Sequence, residues 1–165
     1  MLHRIRQRLG ALVLVLSIFA LMPLPATVQA QGTIAVPNED AVMAAAIAKA
    51  QGSLATFWAA VDKPGPTDTK FAVKIHYPTS GKGGEHIWAS VVKHDAAEVT
   101  AVISNDPQDI ANLKRGQTVT VPKTRLTDWM FFRNDKIHGG QTIRALLPKL
   151  PPAQAEGLRA MLAPE

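Results

Sequence analysis

The apolar period changes once along this chain, from three-and-four to two, and that change limits the fold more than any motif does. Val42, Met43, Ala46, Ile47, Ala50, Leu54, Phe57, Trp58 and Val61 recur at helical spacing and make one broad apolar stripe. Asn38 is placed to cap this helix, Glu39 and Asp40 suit the positive end of its dipole, and Pro64-Gly65-Pro66 stops it. A stripe this wide must be covered, and a sheet is the predicted cover. From Lys70 the period is two: Phe71, Val73, Ile75 and Tyr77 alternate with Lys70, Ala72, Lys74 and His76, as in a half-buried strand.

Further strands are predicted over 85–94, 98–103, 117–121 and 125–132. Asp95-Ala96-Ala97 joins the first two as a hairpin, and Asn134-Asp135 turns the chain back into Lys136-Ile137-His138. Asp106 as cap, Pro107 at the first helical position, Asp109 and Gly116 predict a two-turn helix ending at Lys114. Residues 140–149 fit either strand or helix, and Pro151-Pro152 precedes a last short helix ending near Leu162. The expected architecture is α+β: an N-terminal amphipathic helix packed on a small, mainly antiparallel sheet, with short helices inserted between strands. The short, closely spaced strands after Gly116 also suit a curled, small-barrel-like sheet. Strand does not alternate with long helix, which argues against a doubly wound nucleotide-binding fold.

Residues 1–30 have the three parts of an export signal. Arg4, Arg6 and Arg8 form a cationic start, Leu9 to Met22 an apolar run of 14 residues, and Val28-Gln29-Ala30 a small-residue cleavage site. A membrane-spanning helix needs about 20 apolar residues, so the run reads as a signal core and not as an anchor. Cleavage before Gln31 leaves one globular domain over 31–165, with no transmembrane segment and a periplasmic or secreted location. It also changes the charge. The full chain carries 18 Lys plus Arg against 13 Asp plus Glu, a net +5, but without the three leader arginines the balance falls to +2. Such a weakly basic domain gives no electrostatic reason to bind nucleic acid. The absence of cysteine excludes disulfides, thiolate metal sites, a thiol nucleophile and a lipidated cysteine.

No catalytic motif is complete. His76, His86, His94 and His138 lack the spacing of a helical zinc site, and Glu85 and His86, consecutive in a strand, point to opposite faces. Gly81-Lys82-Gly83-Gly84 lacks the upstream glycine and the Ser or Thr of a phosphate loop. No Gly-x-Ser-x-Gly elbow is present. Asp128 stands beside the apolar run Trp129-Met130-Phe131-Phe132, where it either titrates high enough for acid–base work or accepts backbone hydrogen bonds. No cofactor motif is found.

Three strings, Glu85-His86-Ile87-Trp88, Asp128-Trp129-Met130 and Gly139-Gly140-Gln141-Thr142-Ile143-Arg144, follow an Ala-rich helix and a Phe71-x-Val73-Lys74 strand. In that order they resemble the YegJ-like bacterial family of domains of unknown function (DUF 2314), over residues 40–150. The resemblance implies a small bacterial domain and no particular reaction, substrate or cofactor. Family members carry Tyr where this chain has Phe131 and Gln141.

The leading expectation is therefore a non-enzymatic periplasmic binding or interaction module, with a protein or small-molecule partner in the cell envelope. Its predicted binding residues are His86, Asp128, His138, Thr142 and Arg144, beside glycines 139 and 140 that permit close backbone approach. A small hydrolase or metal-assisted enzyme using His86, Asp128 and His138 is the alternative, and it requires those three side chains within mutual reach. A third reading is attachment to anionic envelope components through the Lys82 loop.

Overall fold

The computed structural model describes residues 40–79 and 84–165. The expected leader, its cleavage point, the Asn38 cap and the Lys82 loop lie outside the described residues.

The long helix of the sequence pattern is two helices, α1 (Ala41–Gly52) and α2 (Leu54–Asp62). Asp40, expected in the first turn, is itself a cap: its Oδ1 accepts the amides of Val42 at 2.9 Å and Met43 at 3.1 Å. The break falls at Ser53, whose hydroxyl turns back onto the carbonyls of Lys49 and Ala50. The tertiary structure uses that break, because the indole Nε1 of Trp129 donates to Ala50 O at 3.0 Å and reaches the Ser53 hydroxyl at 3.2 Å. Apolar spacing continues across Gly52-Ser53, so periodicity alone reads one helix.

Six strands follow the predicted positions closely. β1 (Thr69–Pro78), β2 (Gly84–His94), β3 (Glu98–Ile103), β4 (Thr118–Pro122), β5 (Leu126–Arg133) and β6 (Lys136–Gly139) form one antiparallel sheet in the order β4-β3-β2-β1-β5-β6. The sheet is not closed into a barrel: β4 and β6 each pair with one neighbouring strand. Asn134 and Asp135 both have positive φ, at 50° and 58°, as a two-residue turn between right-twisted strands requires. The segment after β6 resolves to a short helix, α3 (Gln141–Leu146), and a single 3-10 turn, and α4 (Pro152–Met161) ends the fold.

The predicted helix at 106–114 does not form. Glu85, buried at the start of β2, reaches across and accepts the amides of Gln108 at 2.8 Å and Asp109 at 3.0 Å. These are first-turn amides that a helix leaves to its cap, so Glu85 takes the place expected for Asp106, yet no helix follows. Instead the chain makes two single turns, Ile110 to Leu113 and Lys114 to Gln117.

One face of the sheet is the core. Val73 and Ile75 of β1, Ile87 and Ala89 of β2 and Phe131 of β5 lie there, fully or almost fully buried with Phe57 of α2. Phe57 stacks on Trp129 with ring centroids 5.4 Å apart and touches Phe71 at 6.1 Å, so α2 is held by aromatic contacts on β1 and β5. Trp58 of the same helix packs on the His94 ring, at 4.3 Å, and under the Lys123 ammonium, at 4.2 Å, two groups that also meet each other at 2.9 Å. Among the described residues, the opposite face is clothed by α3 and the last residues only at its β5–β6 end, where Ile137 and Leu162 are buried. No described helix is long and apolar enough to cross a membrane.

Candidate functional site

The polar face is shaped by one irregularity in β5. Ile75 pairs with Leu126 and Lys74 with Asp128, so β5 has one residue more than β1 between these rungs. Strict alternation would put Leu126 and Asp128 on the same side. The bulge instead lets Leu126 and Trp129 enter the core while Thr127 and Asp128, though consecutive, both serve the opposite face.

Asp128 is 1% exposed and fully used. One carboxylate oxygen accepts the amides of Trp129 at 2.8 Å and Gln141 at 3.2 Å, and the other accepts the Thr142 amide at 2.8 Å and the Thr142 hydroxyl at 2.6 Å. The glycines bring these groups together. Gly139 and Gly140 have φ of +79° and +64°, which reverses the chain from β6 into α3 and sets its first amides on Asp128. A Cβ at residue 139 would overlap the Trp129 carbonyl and its indole ring, so only glycine allows this approach. The Asp128-Trp129 and Gly139-to-Thr142 strings are thus two halves of one junction.

Lys74 completes it. Its Nζ donates to Thr142 Oγ1 at 3.0 Å, so the threonine hydroxyl accepts from the ammonium and donates to the carboxylate. Burial lowers the Lys74 pKa, and the charge of Asp128 opposes this. Burial likewise raises the Asp128 pKa, opposed first by the Thr142 hydroxyl, then by the Thr142 and Trp129 amides and by Lys74. The two groups share one hydroxyl, and the charge of each opposes the desolvation that disfavours the charge of the other.

From Lys74 the face continues over β2. Lys74 stands opposite Trp88, with its Nζ 5.3 Å from the indole centroid, and two rungs away, next on the same face, His76 stands opposite His86, with ring centroids 4.9 Å apart. All four are half-buried. His86 Nδ1 lies 2.9 Å from the Thr127 hydroxyl, which itself donates to Lys74 O at 3.3 Å. This contact occupies Nδ1 and leaves Nε2 without a partner among the described residues. Burial lowers the His86 pKa to about 4, helped by the positive charges of His76 and Lys74.

The five residues singled out from sequence therefore divide. Asp128 and Thr142 are bonded to each other, and His86 lies on the same face through Thr127. His138 is on the other side of the sheet, stacked on Phe131 at 5.3 Å, where burial and then the Arg133 charge lower its pKa. Arg144 turns to the end of the chain, donating to Gly139 O at 3.2 Å and Ala163 O at 2.7 Å and pairing with Glu165 at 3.4 Å. His86, Asp128 and His138 share no hydrogen bond, and the described residues include no group of three His, Asp or Glu side chains placed to hold a metal ion. Lys74, Thr127 and His76 were not singled out. The one signal for Lys74 was a lysine in mid-strand, at a position the topology makes the centre of the sheet.

Comparison with known proteins agrees with the motif pattern. Over 92 residues, 56% of this chain and 60% of the relative, the sequence is 41% identical to an uncharacterized protein, YegJ, of Escherichia coli (strain K12). Over 77 residues, 45% of this chain and 30% of the relative, it is 34% identical to a putative ankyrin repeat protein of Neisseria meningitidis serogroup B. The chain thus spans less than two thirds of the length of either. No solved structure matches. The model of a family of uncharacterized proteins conserved in bacteria matches residues 40–159, from the Asp40 cap through the Asp128 junction into α4. The chain belongs to that family, DUF2314.

Proposed function

We propose that this is an exported binding module of the cell envelope, not an enzyme, and that its working surface is the polar face over β1 and β2. One observation carries the binding reading: the sheet is packed with helix and aromatic rings on one side, whereas the other side presents half-buried Lys74, His76, His86 and Trp88 on a support fixed by Asp128 and Thr142. Side chains held by core-like hydrogen bonds yet open on one side are preorganised for a ligand. Thr127 and His86 pair a hydroxyl with an imidazole, but that hydroxyl is buried, and among the described residues no carboxylate bonds the His86 ring to orient it as a hydrolase relay needs. Of the residues expected from sequence, His86, Asp128 and Thr142 belong to this surface, with Asp128 and Thr142 as its support. His138 and Arg144 are assigned to packing and to the chain end.

The reading of export rests on the cationic start, 14-residue apolar run and Val28-Gln29-Ala30 of the leader. The test is expression of the full chain in a bacterium, followed by fractionation and N-terminal mass spectrometry. The expected product lies outside the cytoplasm and begins at Gln31. A cytoplasmic product that retains Met1 or Leu2 overturns the proposal.

A further inference from the structure

We propose that the Lys74, His76, His86 and Trp88 surface binds a small oxyanion that also carries an O–H group, such as hydrogen phosphate or a hydroxycarboxylate. The inference rests on the binding-module reading and names the ligand chemistry for the same surface.

The argument starts from unspent hydrogen-bonding capacity. An ammonium has three N–H donors, and Lys74 spends one on Thr142 while no other acceptor among the described residues meets its Nζ. The Trp88 indole N–H likewise has no acceptor among them, its backbone amide alone being taken by Asn105. These are donors for an anion. A purely cationic site would add protonated imidazoles, but burial keeps the His86 ring neutral, and with Thr127 accepting from Nδ1–H, the tautomer this proposal adopts, the unpartnered Nε2 is an acceptor. Donors and one acceptor at neighbouring positions on one face of the same strand pair, two rungs apart, suit a ligand that is both anionic and protic. Its charge meets Lys74 and its hydroxyl donates to His86. Trp88 gives the ligand an apolar floor under the ammonium.

The negative partner already present does not satisfy Lys74. Asp128 spends its oxygens on three amides and the Thr142 hydroxyl, and it reaches the ammonium only through that hydroxyl. Asp128 therefore orients Lys74, with Thr142 as the link, and both are positioning residues. Near the ligand, the facing titratable groups are Lys74 and His76 of β1, His86 of β2 and Asp128 of β5. Burial holds the His86 pKa at about 4, and the positive charges of His76 and Lys74 add to it; a bound anion offsets those charges, so binding should raise that pKa.

The experiment is NMR titration of protein recovered from expression of the full chain, following the Trp88 indole N–H and the His86 imidazole. The added probes are inorganic phosphate, lactate and acetate at constant ionic strength. Expected are saturable shifts of both signals with phosphate or lactate, binding at least about tenfold weaker for acetate, which lacks the O–H, and an upward shift of the His86 pKa on binding. Phosphate without lactate identifies the phosphate source, and lactate without phosphate the hydroxycarboxylate. Lys74→Gln keeps a donor for Thr142 and should lose about tenfold or more in affinity with an unchanged fold by near-UV circular dichroism. His86→Gln supplies a second folded variant and should abolish the preference over acetate. Equal binding of all three anions, or phosphate and lactate affinities unchanged in both folded variants, overturns the proposal. If the exported protein ignores every probe, the ligand chemistry is wrong and the envelope reading is untouched. If the protein binds them but remains cytoplasmic, the envelope reading alone fails.

Discussion

Asp128 is the residue on which the most depends. Its carboxylate serves three amides and one hydroxyl in a place water does not reach, so removing it leaves several donors without a partner. Asp128→Ala should cost about 3 kcal/mol in chemical denaturation, at the upper end for a single polar substitution. The glycines next to it are not equivalent. Gly139→Ala places a methyl against the Trp129 carbonyl and ring at positive φ, and should cost about 3 kcal/mol or more, whereas at Gly140 the nearest atom is a movable Ile143 methyl at 3.3 Å and the cost should be about 1–2 kcal/mol. Denaturation midpoints of the two variants measured side by side check this order. Sequence reading offered two fates for Asp128, titration for catalysis or acceptance from backbone amides. Both have a physical basis in the structure, since burial raises its pKa while amides and a hydroxyl stabilise its charge. The partners were not legible, because nothing local to residue 128 announces a threonine 14 residues later or a lysine on another strand.

At the scale of elements, period-two alternation located five of the strands to within a residue or two, and the Asn134-Asp135 turn pointed to where the sixth begins, because each strand exposes one face to a continuous core. Helix reading was weaker where a tertiary group competed for local hydrogen bonds. At 108–109 the capping role expected of Asp106 belongs to Glu85, from a distant strand, and Trp129 occupies the break at Ser53. The bulge at Thr127 was also invisible, since one extra residue changes which side chains share a face without changing composition. One tie between elements is testable by acid. Asp68, just before β1, forms a two-bond pair with Arg133 at the end of β5, at 2.7 and 2.8 Å, and also accepts the Gly65 amide. The Arg133 guanidinium holds the Asp68 carboxyl down at about 2, against an ordinary 3.8. Because the folded value is the lower one, this pair's contribution is complete above pH 4 and is lost as pH falls through about 2. Arg133→Gln should therefore flatten the dependence of unfolding free energy on pH between about 4 and 2, read by urea denaturation at stepped pH.

For the whole molecule, sequence conveyed the α+β class and the family, and stopped short of function because the polar face is assembled from three strands and a helix widely separated in the chain. The two margins of the sheet differ in a way that bears on self-association. Beside β6 the closing residues are already seated: Ile137 and Leu162 form a parallel bridge, and Ala163 N donates to Ile137 O at 2.9 Å. β4 has no strand beyond it among the described residues. Indefinite stacking of copies, as in a fibril, requires a donor margin and an acceptor margin on every unit. With one side stoppered by its own tail, two copies joining through β4 would terminate as a pair, and loosening that tail is the change that would convert a self-limiting contact into a polymerising one.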